Sequence, residues 1–171
     1  MKHKSNLTYE GQVTIKVKGK TRYKGKNTGT VHLFEVIYGV LSQTLTTHRQ
    51  TDLVDCLPGY ITIVNCSEDA FSSDYLYNDS IKNNSCILNE MPIITRSYDS
   101  SSLNYSCLLN SSNIKSLSGN PLILLLNGKK TKILAYLTFF DTEIVNMIKQ
   151  DPVGQAEITW SMTISNEPKS S

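Results

Sequence analysis

ILAYLTFF (133–140), DTEIVNMIKQDPVGQ (141–155) and AEITWSMTIS (156–165) run consecutively near the end of the chain. In the last of these, Ile158, Trp160, Met162 and Ile164 alternate strictly with Glu157, Thr159, Ser161 and Thr163. That pattern suits a strand with one buried and one wet face. The first run is apolar on both parities, with Ala135, Leu137 and Phe139 set against Leu134, Tyr136 and Phe140. It therefore belongs at the centre of a sheet, covered on both sides. Between them Ile144, Val145 and Ile148 make one inward stripe of a short helix. Asp141 or Thr142 is placed to cap it, Glu143 falls in its first turn, Lys149 in its last, and Asp151-Pro152 ends it.

Working outward, Val13, Ile15 and Val17 alternate with Thr14, Lys16 and Lys18, which predicts a strand whose outer face is basic. GKTRYKGKNTG (19–29) reads as a turn, or as two turns around a short strand. Thr30 is placed to cap a helix over VHLFEVIYGVLSQ (31–43), in which Val31, Phe34, Tyr38 and Leu41 form one stripe with Leu33, Ile37 and Val40 beside it. Pro58-Gly59 turns into a strand YITIV (60–64). Ile87 to Thr95 reads as an irregular strand broken by Pro92. In LNYSCLL (103–109), Leu103, Tyr105, Cys107 and Leu109 share a face. PLILLL (121–126) and the first run above flank Asn127-Gly128, the clearest hairpin signal in the chain.

These elements predict a mainly β protein: an antiparallel β-sandwich of seven or so strands with one or two short helices. The expected organisation is a flexible segment 1–8, a single domain 9–165 and a mobile tail 166–171. Two Ser/Asn-rich loops fall at about 67–86 and 110–120, because Ser, Asn and Asp side chains compete for backbone hydrogen bonds. The longer one reads as an interaction arm or as a segment ordered by a partner.

The total charge is +2 over 171 residues, but it is unevenly spread. Residues 1–30 hold Lys2, Lys4, Lys16, Lys18, Lys20, Arg22, Lys24 and Lys26 against Glu10 alone, a net of +7, so the remainder carries −5. Such a division favours head-to-tail contact between copies or docking on something acidic, or is simply a solvated face. No run is apolar enough for a bilayer span or a secretory signal in the first dozen residues. Cys56, Cys66, Cys86 and Cys107 stand at wide irregular spacings, as free thiols of a reducing cytosol do. The several Asn-X-Ser/Thr sequons then reflect composition rather than glycosylation.

Catalytic chemistry is thin. His3, His32 and His48 lack the spacing of a zinc site or a base, and HExxH and GxSxG are absent. Gly19-Lys20-Thr21 imitates the end of a phosphate loop, but Thr14 stands where that motif needs Gly, so a hairpin turn is the better reading. Asp52 with Asp55, and Glu68 with Asp69, lie in polar loops without a calcium or glycosidase frame. No enzyme, cofactor or metal is expected. Tyr75 and Tyr77 suit a sugar or partner platform, or simply pin their loop. The basic strand suits phosphate contact without base stacking.

KILAYLTFFDTEIVNMIKQDPVGQAEITWSMTIS (132–165) resembles the ending of a group of tailed-bacteriophage virion proteins. Those close with a strand L-A-x-x-x-F, a connector and a last strand x-I-x-W-T-x-T-I/F. The matching positions are Leu134, Ala135 and Phe139, then Ile158, Trp160, Thr163 and Ile164, with Ser161 where Thr is usual. The opening is similar more loosely, in N-x-G-T-x-x-L-F at Asn27, Gly29, Thr30, Leu33 and Phe34. This resemblance covers about the last 35 residues and the first 45 or so, and the Ser/Asn-rich middle departs from it. It implies a neck, ring or tail component, as in crAss-like phages, made in the bacterial cytoplasm and housed in the virion without a membrane. The partners it implies are further copies and other virion proteins, with non-specific DNA contact in a channel. The expected assembly contacts are Lys16, Lys18, Lys20, Arg22, Lys24 and Lys26, with Tyr75 and Tyr77 of the loop. The alternative is a carbohydrate- or receptor-binding sandwich of a tail fibre or baseplate.

Overall fold

The computed structural model describes residues 6–41, 54–79, 81, 87–110, 121–138, 142–150 and 155–167. The elements are β1 (Asn6–Val17), β2 (Lys20–Gly29), α1 (Val31–Leu41), β3 (Pro58–Val64), a 3-10 turn (Glu68–Ala70), β4 (Ile87–Pro92), β5 (Thr95–Tyr98), β6 (Leu103–Asn110), β7 (Leu122–Asn127), β8 (Ile133–Thr138), α2 (Thr142–Lys149) and β9 (Gln155–Glu167). The protein is mainly β and its ladders are antiparallel, in the order β4-β3-β7-β8-β2-β1-β9-β6-β5.

The strands join in one continuous nine-stranded sheet. Among the described residues, strand pairing joins its two halves where Thr28 pairs with Tyr136 and Gly29 with Ala135. The halves then curl to face each other across a shared core. That core takes Val13, Ile15 and Val17 from β1, Cys107 and Leu109 from β6, and Ile158, Trp160 and Met162 from β9. Opposite them stand Ile61 and Ile63 from β3, Ile123 and Leu125 from β7, and Leu137 from β8. Ile144, Val145 and Ile148 of α2 close one part of it, as their helical spacing requires. The sheet nearly closes on itself. Its two edge strands, β4 and β5, are consecutive in sequence, and between them Ile93 N–H donates to Gly59 O (3.0 Å) and Ile94 N–H to Ser106 O (2.9 Å).

Several expectations need correction. Residues 6–8 and 166–167, expected in the flexible start and the mobile tail, lie in β1 and β9. KTRYKGKNTG is one long strand; Lys18 and Gly19, both with positive φ, make the tight turn before it. Thr30 stands before α1 and its carbonyl accepts from Leu33 N–H (3.2 Å), but its hydroxyl is engaged elsewhere. Its hydroxyl donates to the carbonyls of Ile133 (2.6 Å) and Leu134 (3.1 Å), which ties the helix start to β8. Asn127 organises the β7–β8 reversal as expected, but through its side-chain oxygen, which accepts from Thr131 N–H (2.8 Å) and Lys132 N–H (2.9 Å).

Residues 67–79 and 81, part of the 67–86 stretch expected as an arm or partner-ordered loop, cover the outer face of β3-β7-β8. Phe71, Tyr77 and Ile81 pack there on Val64, Leu122, Leu124, Leu126 and Ile133. This explains why β7 is buried along its whole length: one face looks into the shared core, the other under the covering segment. Residues 82–86 and 111–120 of the two expected loops, the cap position Asp141, and Asp151-Pro152 lie outside the described residues.

Candidate functional site

The cations singled out in the sequence gather on the β1–β2 hairpin. On β1 the inward parity is apolar, so Lys16 projects outward, where it reaches Glu157 of β9 at 4.0 Å. On β2, Lys24 pairs with Thr14 and Lys26 with Gln12, both on that outer side. A bulge then interrupts the alternation: Ile15 pairs with Tyr23 but Lys16 with Thr21, which leaves Arg22 as the extra residue. Lys20 consequently pairs with the inward Val17, on the opposite side from Lys24, and Lys18 sits in the turn. The hairpin therefore carries charge around its tip and free edge rather than in one straight row. All of these cations are exposed, and apart from Lys16 none forms an ion pair among the described residues.

Across the neighbouring strands the outer face is polar. One register row runs Lys26, Gln12, Ser161, Asn104, Ser97, and the next runs Lys24, Thr14, Thr159, Ser106, Thr95. Above it the β5–β6 turn is fixed by Asp99, whose carboxylate accepts from the backbone N–H of Ser101 and Ser102 (2.8 Å each) and from both their hydroxyls. Those donors hold the Asp99 carboxyl well below the usual carboxylate range. A polar groove of about 640 Å³ lies here, lined among others by Glu10, Gln12, Lys26, Asp99, Asn104 and Thr163.

Tyr75 and Tyr77 stand elsewhere. Tyr77 is only 2% exposed, and its hydroxyl donates to Glu90 (2.9 Å), so it is a core residue rather than a contact residue. Tyr75 is half-buried and stacks on Tyr136 at 6.1 Å. Of their two sequence readings, pinning the segment fits Tyr77. Glu68 accepts from the Tyr136 hydroxyl (2.5 Å), while Asp69, Asp74 and Asp79 leave the covering segment acidic and exposed.

A cleft of about 420 Å³ between α1 and the β7–β8 loop collects His32, Glu35, Asp55, Cys56, Lys129 and Lys132. Its charges are mutually satisfied. His32 meets Glu35 through Nδ1 (2.9 Å) and the Asp74 carbonyl through Nε2 (2.8 Å); Lys132 lies 3.6 Å from Glu35 and Lys129 3.2 Å from Asp55. The His32 contact, followed by Lys132, lowers the Glu35 carboxyl from its ordinary value. Among the described residues no group of three or more His, Cys, Asp or Glu is placed to hold a metal. Cys56, Cys66 and Cys107 are free thiols, and burial pushes that of Cys107 up to about 12. No helix among the described residues is long and apolar enough to cross a membrane. His3, His48 and Asp52 lie outside the described residues.

The sequence reading missed the exposed apolar residues. Val31, Tyr38 and Val40 of α1 were expected on an inward face, yet each is about half exposed, at 53%, 54% and 46%. Leu33, Val36 and Ile37 face the core instead. At the seam Ile94 and Tyr98 are also exposed. With apolar residues on two adjoining stripes, helical periodicity alone could not say which turns outward. No family model matches the chain, and no curated protein or solved structure matches it.

Proposed function

We propose that the protein is a non-enzymatic structural subunit of a bacteriophage virion, forming a ring or collar layer of the neck or tail by copy-to-copy contacts. The observation that carries this reading is the exposed apolar surface of α1 (Val31, Tyr38, Val40) and of the seam (Ile94, Tyr98). Apolar and aromatic residues grouped on an exposed surface are what a partner covers, whereas single ones are ordinary. A closed ring needs a heterologous contact between two different patches of each copy, and α1 and β5 supply two elements for it. Native mass spectrometry over a range of protein and salt concentrations tests the reading. Closed rings that persist in high salt, and that dissociate to monomers in Tyr38→Ser/Tyr98→Ser, are the expected result. A chain that stays monomeric at every concentration, or rings indifferent to both substitutions, would remove it. Rings weakened by salt would move the contact to the cationic hairpin.

A second reading, a carbohydrate-binding module of a fibre or baseplate, draws support from the polar groove beside Asp99 rather than from Tyr75 and Tyr77. A glycan array separates the two, because a ring subunit gives no signal there.

A further inference from the structure

We infer that the β1–β2 hairpin binds the phosphate backbone of duplex nucleic acid without regard to sequence. Lys18, Lys20, Arg22, Lys24 and Lys26 are exposed and form no ion pair among the described residues; Lys18 stands in the turn and the other four follow one another along β2. At about 3.3 Å per residue, Lys20 to Lys26 spans roughly 20 Å, within which each strand of a duplex presents a phosphate about every 3.4 Å along the axis. The bulge at Arg22 puts cations on both sides of the hairpin edge, so a groove walled by two phosphate rows is a better fit than a flat anionic surface. Next to the cations stand Gln12, Thr14, Thr159 and Ser161, whose amide and hydroxyl groups are the usual companions of Lys and Arg at phosphate oxygens.

Two features set nucleic acid apart from a protein partner. Protein interfaces are anchored by buried apolar and aromatic side chains, whereas DNA-binding surfaces are polar and cationic. None of the exposed large hydrophobic residues lies between residues 8 and 29; they stand on α1, at the seam and elsewhere. The absence of an exposed aromatic there, with Tyr23 packed against the core, also disfavours single strands, which are held by base stacking. This inference is separate from the ring reading: a monomer that binds duplex upholds it, and rings that bind none remove it.

The test is fluorescence anisotropy of the full chain with two labelled duplexes of about 20 base pairs and unrelated sequence, from about 50 to about 200 mM salt. Both should bind alike, with a log–log salt slope of about −4. Lys20→Gln/Lys24→Gln should weaken binding by about tenfold and make the slope shallower by about 2. The same charge change at Lys129→Gln/Lys132→Gln should leave affinity within about twofold, since those lysines are paired to Asp55 and Glu35 away from the hairpin. Circular dichroism checks that both variants fold. No binding at the lowest salt, an equal loss in the paired-lysine control, or preference for one sequence would each overturn the inference. So would self-association abolished by the hairpin substitutions with no duplex bound, which would make the hairpin a contact between copies.

Discussion

At the scale of single residues, a close polar cluster lies beneath Gly11. With its amide turned to suit its neighbours, Asn27 accepts from Gln12 N–H (3.0 Å) and Trp160 Nε1–H (3.2 Å) and donates to the Tyr9 hydroxyl (2.5 Å). A Cβ at position 11 would collide with the Tyr9 hydroxyl and the Asn27 amide. Gly11→Ala should therefore cost about 1–3 kcal/mol, read from the denaturant midpoint. Burial pushes the Tyr9 phenol up from 10.0 to about 12. The folded state thus favours the neutral phenol: its contribution is complete below pH 10 and is lost as pH rises through about 12. Comparing thermal melts of the protein and Tyr9→Phe across that window should show a pH-dependent loss of about 3 kcal/mol only where the phenol is present. Alternation made Trp160 legible as a core residue. Asn27 was not, because an Asn between Lys26 and Thr28 in a glycine-spaced run carries the chemistry of a turn, and only pairing with β1 reveals it as an inward strand position.

Among the elements, the covering segment was the least legible and is the most consequential for the fold. Phe71, Tyr77 and Ile81 follow no helical or strand period, and the Ser, Asn and Asp between them favour loops. What orders the run is the apolar outer face of β7 and β8, a tertiary feature that no local pattern contains. Phe71 lies edge-on to Tyr136 at 5.5 Å and is 1% exposed. Phe71→Ala should cost about 3–5 kcal/mol. Hydrogen exchange should locate the damage, with amides 67–81 losing protection before those of β1 and β9. Equal loss throughout the sheet would show that the segment is not a separate cooperative unit. The strands themselves were largely legible, since β1, β6 and β9 declare their faces by parity and β7 and β8 their central place by being apolar on both faces. β2 was not, because its glycines signal turns, whereas here Gly25 and Gly29 leave room for the rings of Tyr23 and Tyr9.

At the scale of the whole molecule, one short contact separates two architectures. Parity assigns inward and outward faces but says nothing of which edges meet, and among the described residues the pairs of Thr28 and Gly29 with β8 are what turn two facing layers into one sheet. The ladder between β1 and β9 is the long-range counterpart, running from Asn6 with Glu167 to Val17 with Ala156. Long-range pairing of this kind delays folding until most of the chain is present. A chain cut before residue 155 should therefore remain unfolded, seen as a loss of strand signal in circular dichroism. The same ladder sets residues 6 and 167 side by side on adjacent strands. Backbone continuity is thus a convention here: a few glycines could join those positions while the chain is opened at Lys18-Gly19, giving a circular permutant that keeps every ladder and releases the cationic turn as a pair of new ends.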